Sequence, residues 1–252
     1  MSLQRRFDEA HALLYAICPR GKLDDQLLQR SPELVVRYLL ERGRTLNSSG
    51  QRADAFSLFG RAWDHARSAG CDALAVDAAH MLAIAADDSD QALHWNTRAM
   101  ELAQSSPDSK ARAWRGSLEN NLGWTWHARG DYARALGHFE SALRCRQEDG
   151  SAGLIAIARW CIARCLRSLG RIEEALAIQR ELLDEHHTRG TPDGFVHEEL
   201  GECLLAAGDP AAARRHFAKA YDVLARDQSL VHNEPERIKR IRRLANGDDV
   251  AA

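Results

Sequence analysis

Residues 116–149 constrain the fold of this chain more than any other stretch. Their central part reads L-G-x-x-W-x-x-x-G-x-Y-x-x-A-x-x-x-F-x-x-A, with small and large apolar residues at helical spacing. The pattern predicts two antiparallel helices, whose backbones approach closely at Gly123 and Ala135. Gly130 is expected to end the first helix in a left-handed conformation, and Asp131 is expected to cap the second.

This stretch resembles the tetratricopeptide repeat (TPR), a two-helix unit that stacks into a solenoid. The resemblance is carried by Leu122, Gly123, Trp126, Gly130, Tyr132, Ala135, Phe139 and Ala142. It implies that neighbouring stretches of the chain form similar helix pairs, since one such unit cannot bury its apolar face alone.

The same pattern recurs in weaker form along the chain. It predicts five helix pairs, at about 32–69, 71–104, 109–149, 152–190 and 191–226. The spacing between pairs exceeds the usual ~34 residues of the repeat, as in longer-helix variants of the family. Asn96 and Gln179 stand where the second and fourth pairs should carry an aromatic residue.

The two ends of the chain do not match the repeat. Residues 1–31 predict short helices that form either a cap or a degenerate repeat, and residues 227–252 predict a capping helix followed by a tail. We therefore predict an all-α fold. It is a right-handed superhelical solenoid of about five antiparallel TPR-like helix pairs, with extra helices at both ends.

Composition excludes several classes of protein. The formal net charge of −2 gives no global field for a nucleic-acid partner, and no run reaches the ~18 apolar residues that would span a membrane. The first residues are too charged for a signal peptide, and the six cysteines lie within helical patterns. We expect a cytoplasmic protein, and the preference for arginine over lysine favours a bacterial genome.

Motifs for catalysis and cofactor binding are missing from the sequence. No phosphate-binding glycine loop or nucleophile elbow occurs, and the run that begins His197-Glu198 has Gly201 where a zinc helix needs its second histidine. Cys161 and Cys165 lie one helical turn apart, either as packing residues or as ligands of a soft metal. We predict a protein that is not an enzyme and has no cofactor or metal.

The TPR resemblance implies a candidate binding surface. In that family the first helix of each pair lines a concave groove that binds extended or helical peptides. Carried onto this chain by the positions around the small residue, the groove contains Arg37, Arg44, Asp77, His80, Asn120, Trp124, His127, Trp160, Arg164, Arg167, Glu198 and Glu202. A clamp for a C-terminal carboxylate is not expected, because its lysine is missing.

The residues of this groove favour a protein or peptide ligand that is acidic and has an apolar anchor. Arg164 and Arg167 can bind carboxylates in a bidentate manner. Trp124 and Trp160 either anchor such a ligand or pack between repeats. We predict that the ligand lies across the third and fourth pairs, and that the chain serves as a non-enzymatic scaffold or adaptor.

Two alternatives stay open at this point. One is a peptide-sensing regulator of signalling or transcription. The other is a nucleic-acid-linked factor that uses the basic C-terminal helix, although Ile238, Ile241 and Leu244 favour docking of that helix on the fifth pair with its charges facing water. We expect no membrane partner. The sequence leaves self-association open.

Overall fold

The structure is a computed structural model, and it describes residues 32–248. Contacts divide the chain into two compact units, residues 1–130 and 131–252. Every element within 32–248 is a helix or a connection between helices, and no strand occurs there. The predictions for residues 1–31 and for the last four residues lie outside the described part of the chain.

Six helices form the described part of unit 1. They are α1 (Pro32–Ser48), α2 (Arg52–Ser68), α3 (Asp72–Ala85), α4 (Ser89–Ser105), α5 (Ser109–Arg112) and α6 (Arg115–Ala128). Helices α1 to α4 each pack against the next, and α4 packs against α6. Gly43 of α1 lies against Phe59 of α2, and a Cβ atom at position 43 would sit 2.8 Å from the Phe59 Cδ1.

Seven helices form the described part of unit 2. They are α7 (Tyr132–Asp149), α8 (Ala152–Ser168), α9 (Ile172–Arg189), α10 (Gly194–Ala206), α11 (Pro210–Leu224), α12 (Gln228–Asn233) and α13 (Pro235–Asn246). Helices α7 to α10 each pack against the next, and α13 packs against α11. Gly201 of α10 meets Phe217 of α11 as Gly43 meets Phe59, so both units use the same small-against-large contact.

The turns between helices follow the expected chemistry. Gly130 has φ 79°, a left-handed conformation that glycine adopts without strain. The Asp131 carboxylate accepts a hydrogen bond from the backbone N–H of Arg134 at 3.1 Å, which caps α7. Asp193 caps α10 in the same way, by accepting from the N–H groups of Phe195 and Val196.

The predicted fold class is confirmed, because each unit consists of successive helices that pack in sequence order as TPR-like pairs do. The structure adds two short helices, α5 and α12, to the connections. No helix in residues 32–248 combines the length and the apolar character that a membrane span requires.

Candidate functional site

Three predicted groove residues of unit 1, Arg44 on α1 with Asp77 and His80 on α3, form a polar row with Asn121 of α6, which was not predicted. Arg44 binds both carboxylate oxygens of Asp77, with its Nη2 at 2.5 and 2.6 Å. The amide nitrogen of Asn121 lies 2.8 Å from the Nδ1 of His80. Burial lowers the pKa of His80 although the Asp77 carboxylate opposes the shift, so the ring is neutral at pH 7. Arg37 pairs with Glu33, one turn before it on α1.

The other predicted residues of unit 1 lie on α6. Asn120, Trp124 and His127 are half-buried along one side of this helix. The rings of Trp124 and His127 meet edge to face with their centroids 5.3 Å apart. These contacts place Trp124 within a local ring cluster, and its role as a ligand anchor stays a prediction.

In unit 2, the predicted arginines surround a buried carboxylate. Glu199 of α10 is 1% exposed, and Arg167 of α8 binds it with Nε at 2.5 Å and Nη2 at 3.3 Å. Arg164 lies 3.8 Å from the same carboxylate. Burial raises the pKa of Glu199, and the hydrogen bonds from Arg167 oppose that shift. Arg167 is therefore engaged by the chain itself, where the sequence predicted it to bind a ligand carboxylate.

The predicted glutamates of unit 2 are occupied by the C-terminal helix. Arg237 of α13 donates to Glu198 at 2.6, 2.9 and 3.1 Å, and Arg240 donates to both oxygens of Glu202. Ile238, Ile241 and Leu244 are buried, as the spacing predicted. The expectation that the charges of this helix face water is wrong for Arg237, which is mostly covered, because α10 offers Glu198 on the facing surface. Arg240 stays exposed while it pairs with Glu202.

An apolar pocket lies beside this charged region, within unit 2. Its volume is about 550 Å³, and it is lined by Gly153, Ala156, Ile157, Trp160, His186, Arg189, Asp193, Phe195, Val196 and Arg237. Ile157 is 55% exposed although it is apolar. The Trp160 Nε1 donates to the carbonyl of Phe195 at 3.1 Å, so the indole is held as one wall of the pocket. Trp160 thus lines a cavity and also contacts the next helix pair, so its role as a ligand anchor stays a prediction.

Sequence reasoning predicted Trp160 and missed the nine other residues of this pocket, of which Ile157, Phe195 and Arg237 are considered first. Ile157 lies one turn before Trp160 on the same stripe of α8, and this spacing was the signal that could have found it. Phe195 follows the cap of α10, and the Arg237 guanidinium stacks 5.1 Å over its ring. No pattern in the sequence indicates that Arg237 of α13 lies at the pocket formed by α8 and α10.

Two cysteines of unit 2, Cys161 and Cys165, lie inside the helix packing. Cys161 and Cys165 are both buried, and the Cys165 thiol donates to the carbonyl of Tyr132 at 3.2 Å. Burial raises the pKa of Cys165 to about 11, which disfavours the thiolate that a soft metal needs. Within residues 32–248, no group of three or more His, Cys, Asp and Glu side chains could hold a metal ion.

Comparison with known proteins places the fold. Residues 120–148 match the sequence model of the tetratricopeptide repeat. No curated protein matched the chain. Among solved structures, BtubC (BKLC) from P. vanneervenii is 20% identical, with a TM-score of 0.67 over 98% of this chain and 93% of that one.

Two further structures are named for their repeats. A STAND signal-transduction ATPase from Pyrococcus horikoshii, which has a tetratricopeptide repeat sensor, is 14% identical with a TM-score of 0.68. That match covers 98% of this chain and 40% of the other. YrrB, a TPR protein with an unusual peptide-binding site, is 14% identical with a TM-score of 0.51, over 84% of this chain and 96% of that one.

The predicted resemblance to TPR proteins is therefore confirmed, by the repeat matched in residues 120–148 and by the shared fold. Folds of this kind generally serve as scaffolds for protein interaction rather than as catalysts.

Proposed function

We propose that the chain is a non-enzymatic adaptor that binds a peptide segment of a partner protein in the apolar pocket of unit 2. The observation that carries this proposal is the exposure of apolar side chains around a cavity of about 550 Å³. Water-exposed apolar surface gathered in a concave site is typical of ligand pockets, because its burial drives binding. Ile157, Trp160 and Phe195 would receive one bulky apolar side chain of the partner.

The charges at the rim favour acidic residues beside that anchor. Arg189 and Arg237 border the pocket, and Arg189 is close to half exposed, with Glu185 as its ion-pair partner at 3.3 Å. A carboxylate of the ligand can share such an exposed guanidinium, which has five N–H donors. We therefore assign the acidic preference to Arg189 rather than to Arg167 and Arg237, whose guanidinium groups are held by Glu199 and Glu198.

The alternative of a peptide-sensing regulator uses the same pocket and differs only in what binding does to the rest of the protein. The alternative of a nucleic-acid-linked factor has less support, because the cations Arg237 and Arg240 of the basic helix bind glutamates. A cytoplasmic location stays a prediction from the placement of the cysteines in helices.

The proposal is tested by selecting peptides from a displayed random library with the full chain. We expect enrichment of sequences in which a bulky apolar residue stands beside Asp or Glu. A selected peptide, labelled with a fluorophore, should bind Ile157→Glu at least about tenfold more weakly than the wild-type chain, since the new carboxylate enters the apolar site and repels the acidic neighbour.

Leu154→Glu is the matched control. Leu154 lies on the same helix, is 37% exposed and does not line the pocket, so this variant should keep wild-type affinity. Equal affinity of the selected peptides for Ile157→Glu and Leu154→Glu would show that the pocket is not the binding site.

A further inference from the structure

The C-terminal helix α13 has the chemistry of a bound ligand. It carries five basic residues and one acidic residue over Pro235–Asn246. Its Arg237 and Arg240 lie one turn apart and bind Glu198 and Glu202, which lie one turn apart on α10. Charge and spacing therefore match along both helices, as they do when a peptide helix docks in a groove.

A second face of α13 is apolar. Ile238, Ile241 and Leu244 recur at intervals of three residues and are all buried, and α13 packs against α11. The amphipathic helix α13 is thus bound by two neighbouring helices, by α11 through apolar contacts and by α10 through carboxylates. The motif that fits is R-I-x-R-I-x-x-L, beginning at Arg237.

Helix α13 is the last helix of the described part of the chain, and it contacts α11, α10 and the short helix α12. Glu234 interrupts the chain before it with φ −128° and ψ 52°, and the preceding α12 has only six residues. A twelve-residue helix is marginal by itself, so its docking depends on the surface beneath it. Part of that docking is ionic and half exposed, which makes it sensitive to salt.

We propose that the surface of α10 and α11 beneath α13 is a binding site for a basic amphipathic helix of a partner protein, and that α13 occupies this site as an intramolecular competitor. The partner helix would carry two arginines one turn apart for Glu198 and Glu202, with aliphatic residues following each. This site is distinct from the pocket at Ile157, although Arg237 borders both, and it does not depend on the peptide proposed for that pocket.

The test uses a fluorescent peptide of residues 233–248 and the full chain. The double variant Arg237→Glu/Arg240→Glu loosens α13 and leaves the acidic surface intact. It should bind the wild-type peptide about tenfold or more tightly than the wild-type chain does, because the competitor no longer fills the site. Binding that is no tighter than that of the wild-type chain would overturn the proposal.

A charge-swapped control separates this site from general attraction of a basic peptide. The fourfold variant that adds Glu198→Arg and Glu202→Arg restores internal pairing with opposite signs. It should not bind the wild-type peptide, and equal binding by both variants would contradict the proposed surface. A different result would be a dimer of the wild-type chain that Arg237→Glu/Arg240→Glu abolishes. That result would also overturn the proposal, because the occupant of the site would then be a second copy of the chain.

A measurement on the unaltered chain guards against misfolding of the variants. Native-state hydrogen exchange should show α13 opening while the amides of α10 and α11 remain protected, and added salt should make this opening more frequent. Exchange of α13 only through global unfolding would identify it as a permanent part of the core and would overturn the proposal.

Discussion

Gln179 occupies the position in α9 that phenylalanine fills in α2, α7 and α11. It is fully buried, as Phe59, Phe139 and Phe217 are. Neither its amide oxygen nor its amide nitrogen has a hydrogen-bond partner in the described part of the chain. A buried amide without partners lowers stability, because it loses its bonds to water and gains none in return.

We therefore predict that Gln179→Leu stabilises the protein. Leucine is of similar volume and carries no polar atom, so the free energy of unfolding should rise by about 1 to 3 kcal/mol. Denaturant unfolding followed by circular dichroism measures this change. Gln147→Leu on the exposed side of α7 is the control and should change stability by less than about 0.5 kcal/mol. A destabilised Gln179→Leu variant would indicate that the amide has a partner such as buried water.

His197 and His216 form a polar contact in unit 2 that is buried on the side of His197. Their Nδ1 atoms lie 3.1 Å apart, and His197 is 7% exposed. Burial, the His216 ring and Lys219 lower the pKa of His197 to about 4, and Asp193 opposes the shift. Burial likewise lowers the pKa of His216, together with its cationic neighbours Lys219, Arg215 and Arg180. Both rings are therefore neutral at pH 7.

This pair predicts a loss of stability in mild acid. The folded pKa of His197 lies below the unfolded value of about 6.5, so the unfolded chain binds the proton first as the pH falls below 6.5. Stability should be constant above that pH and should fall by about 1 kcal/mol on going from pH 7.5 to 5.5. His197→Asn should lose less over this range in urea titrations, whereas His65→Asn at an exposed position should keep the wild-type slope. Identical slopes for wild type and His197→Asn would refute the assignment.

At the scale of helix pairs, the contact of a small residue with a phenylalanine determines how closely two helices approach. A Cβ atom at Gly201 would lie 2.8 Å from the Phe217 Cζ and 2.9 Å from both Cε atoms, closer than atoms pack. Phe217 is fully buried, so its ring has little freedom to move away. The glycine is required here by space rather than by backbone conformation.

Gly201→Ala should therefore destabilise the protein, although alanine favours helices. We expect a loss of about 1 to 3 kcal/mol in the free energy of unfolding, because overpacking outweighs the gain in propensity. Gly137→Ala is the matched control. Gly137 lies within α7 with open space around it, and its substitution should stabilise by up to about 1 kcal/mol. Adding Phe217→Leu to Gly201→Ala should recover part of the loss, and failure to do so would place the clash elsewhere.

The helices were predictable because their signals are local. Gly130, Asp131 and the spacing of Phe139 after Ala135 lie within a few turns of one another, and each acts through backbone conformation or through the next helix. The short helices α5 and α12 were not predicted, because four to six residues carry too little periodicity. Gln179 was located in the correct place, but its lack of a partner depends on distant packing.

The site was less predictable than the fold, because pairing across helices decides which charges remain available. Sequence spacing placed Arg167, Glu198 and Glu202 on the first helices of their pairs, where the structure also has them. It could not indicate that Glu199 holds Arg167, or that α13 returns to cover the two other glutamates. Such contacts join residues more than thirty positions apart, and no periodic pattern in the sequence indicates them.

At the scale of the whole molecule, charge bears on the choice between a protein partner and a nucleic-acid partner. The net charge is −2, and the main basic run is in α13. Within that run, Arg237, Lys239 and Arg240 each pair with a glutamate. A phosphate backbone would have to compete with these carboxylates, so the run attracts polyanions less than its composition suggests.

We predict that the intact chain binds duplex DNA weakly and with little salt dependence. At about 150 mM salt no binding should be detected by fluorescence anisotropy, because few counterions are released. Glu198→Gln/Glu202→Gln should bind more tightly at low salt, since it frees Arg237 and Arg240. Glu101→Gln/Glu148→Gln removes the same charge at exposed positions that hold no arginine, and it should behave as the wild type does. Tight binding by the wild-type chain would instead support a nucleic-acid partner, if a plot of log K against log salt concentration has a slope of about −4 or steeper.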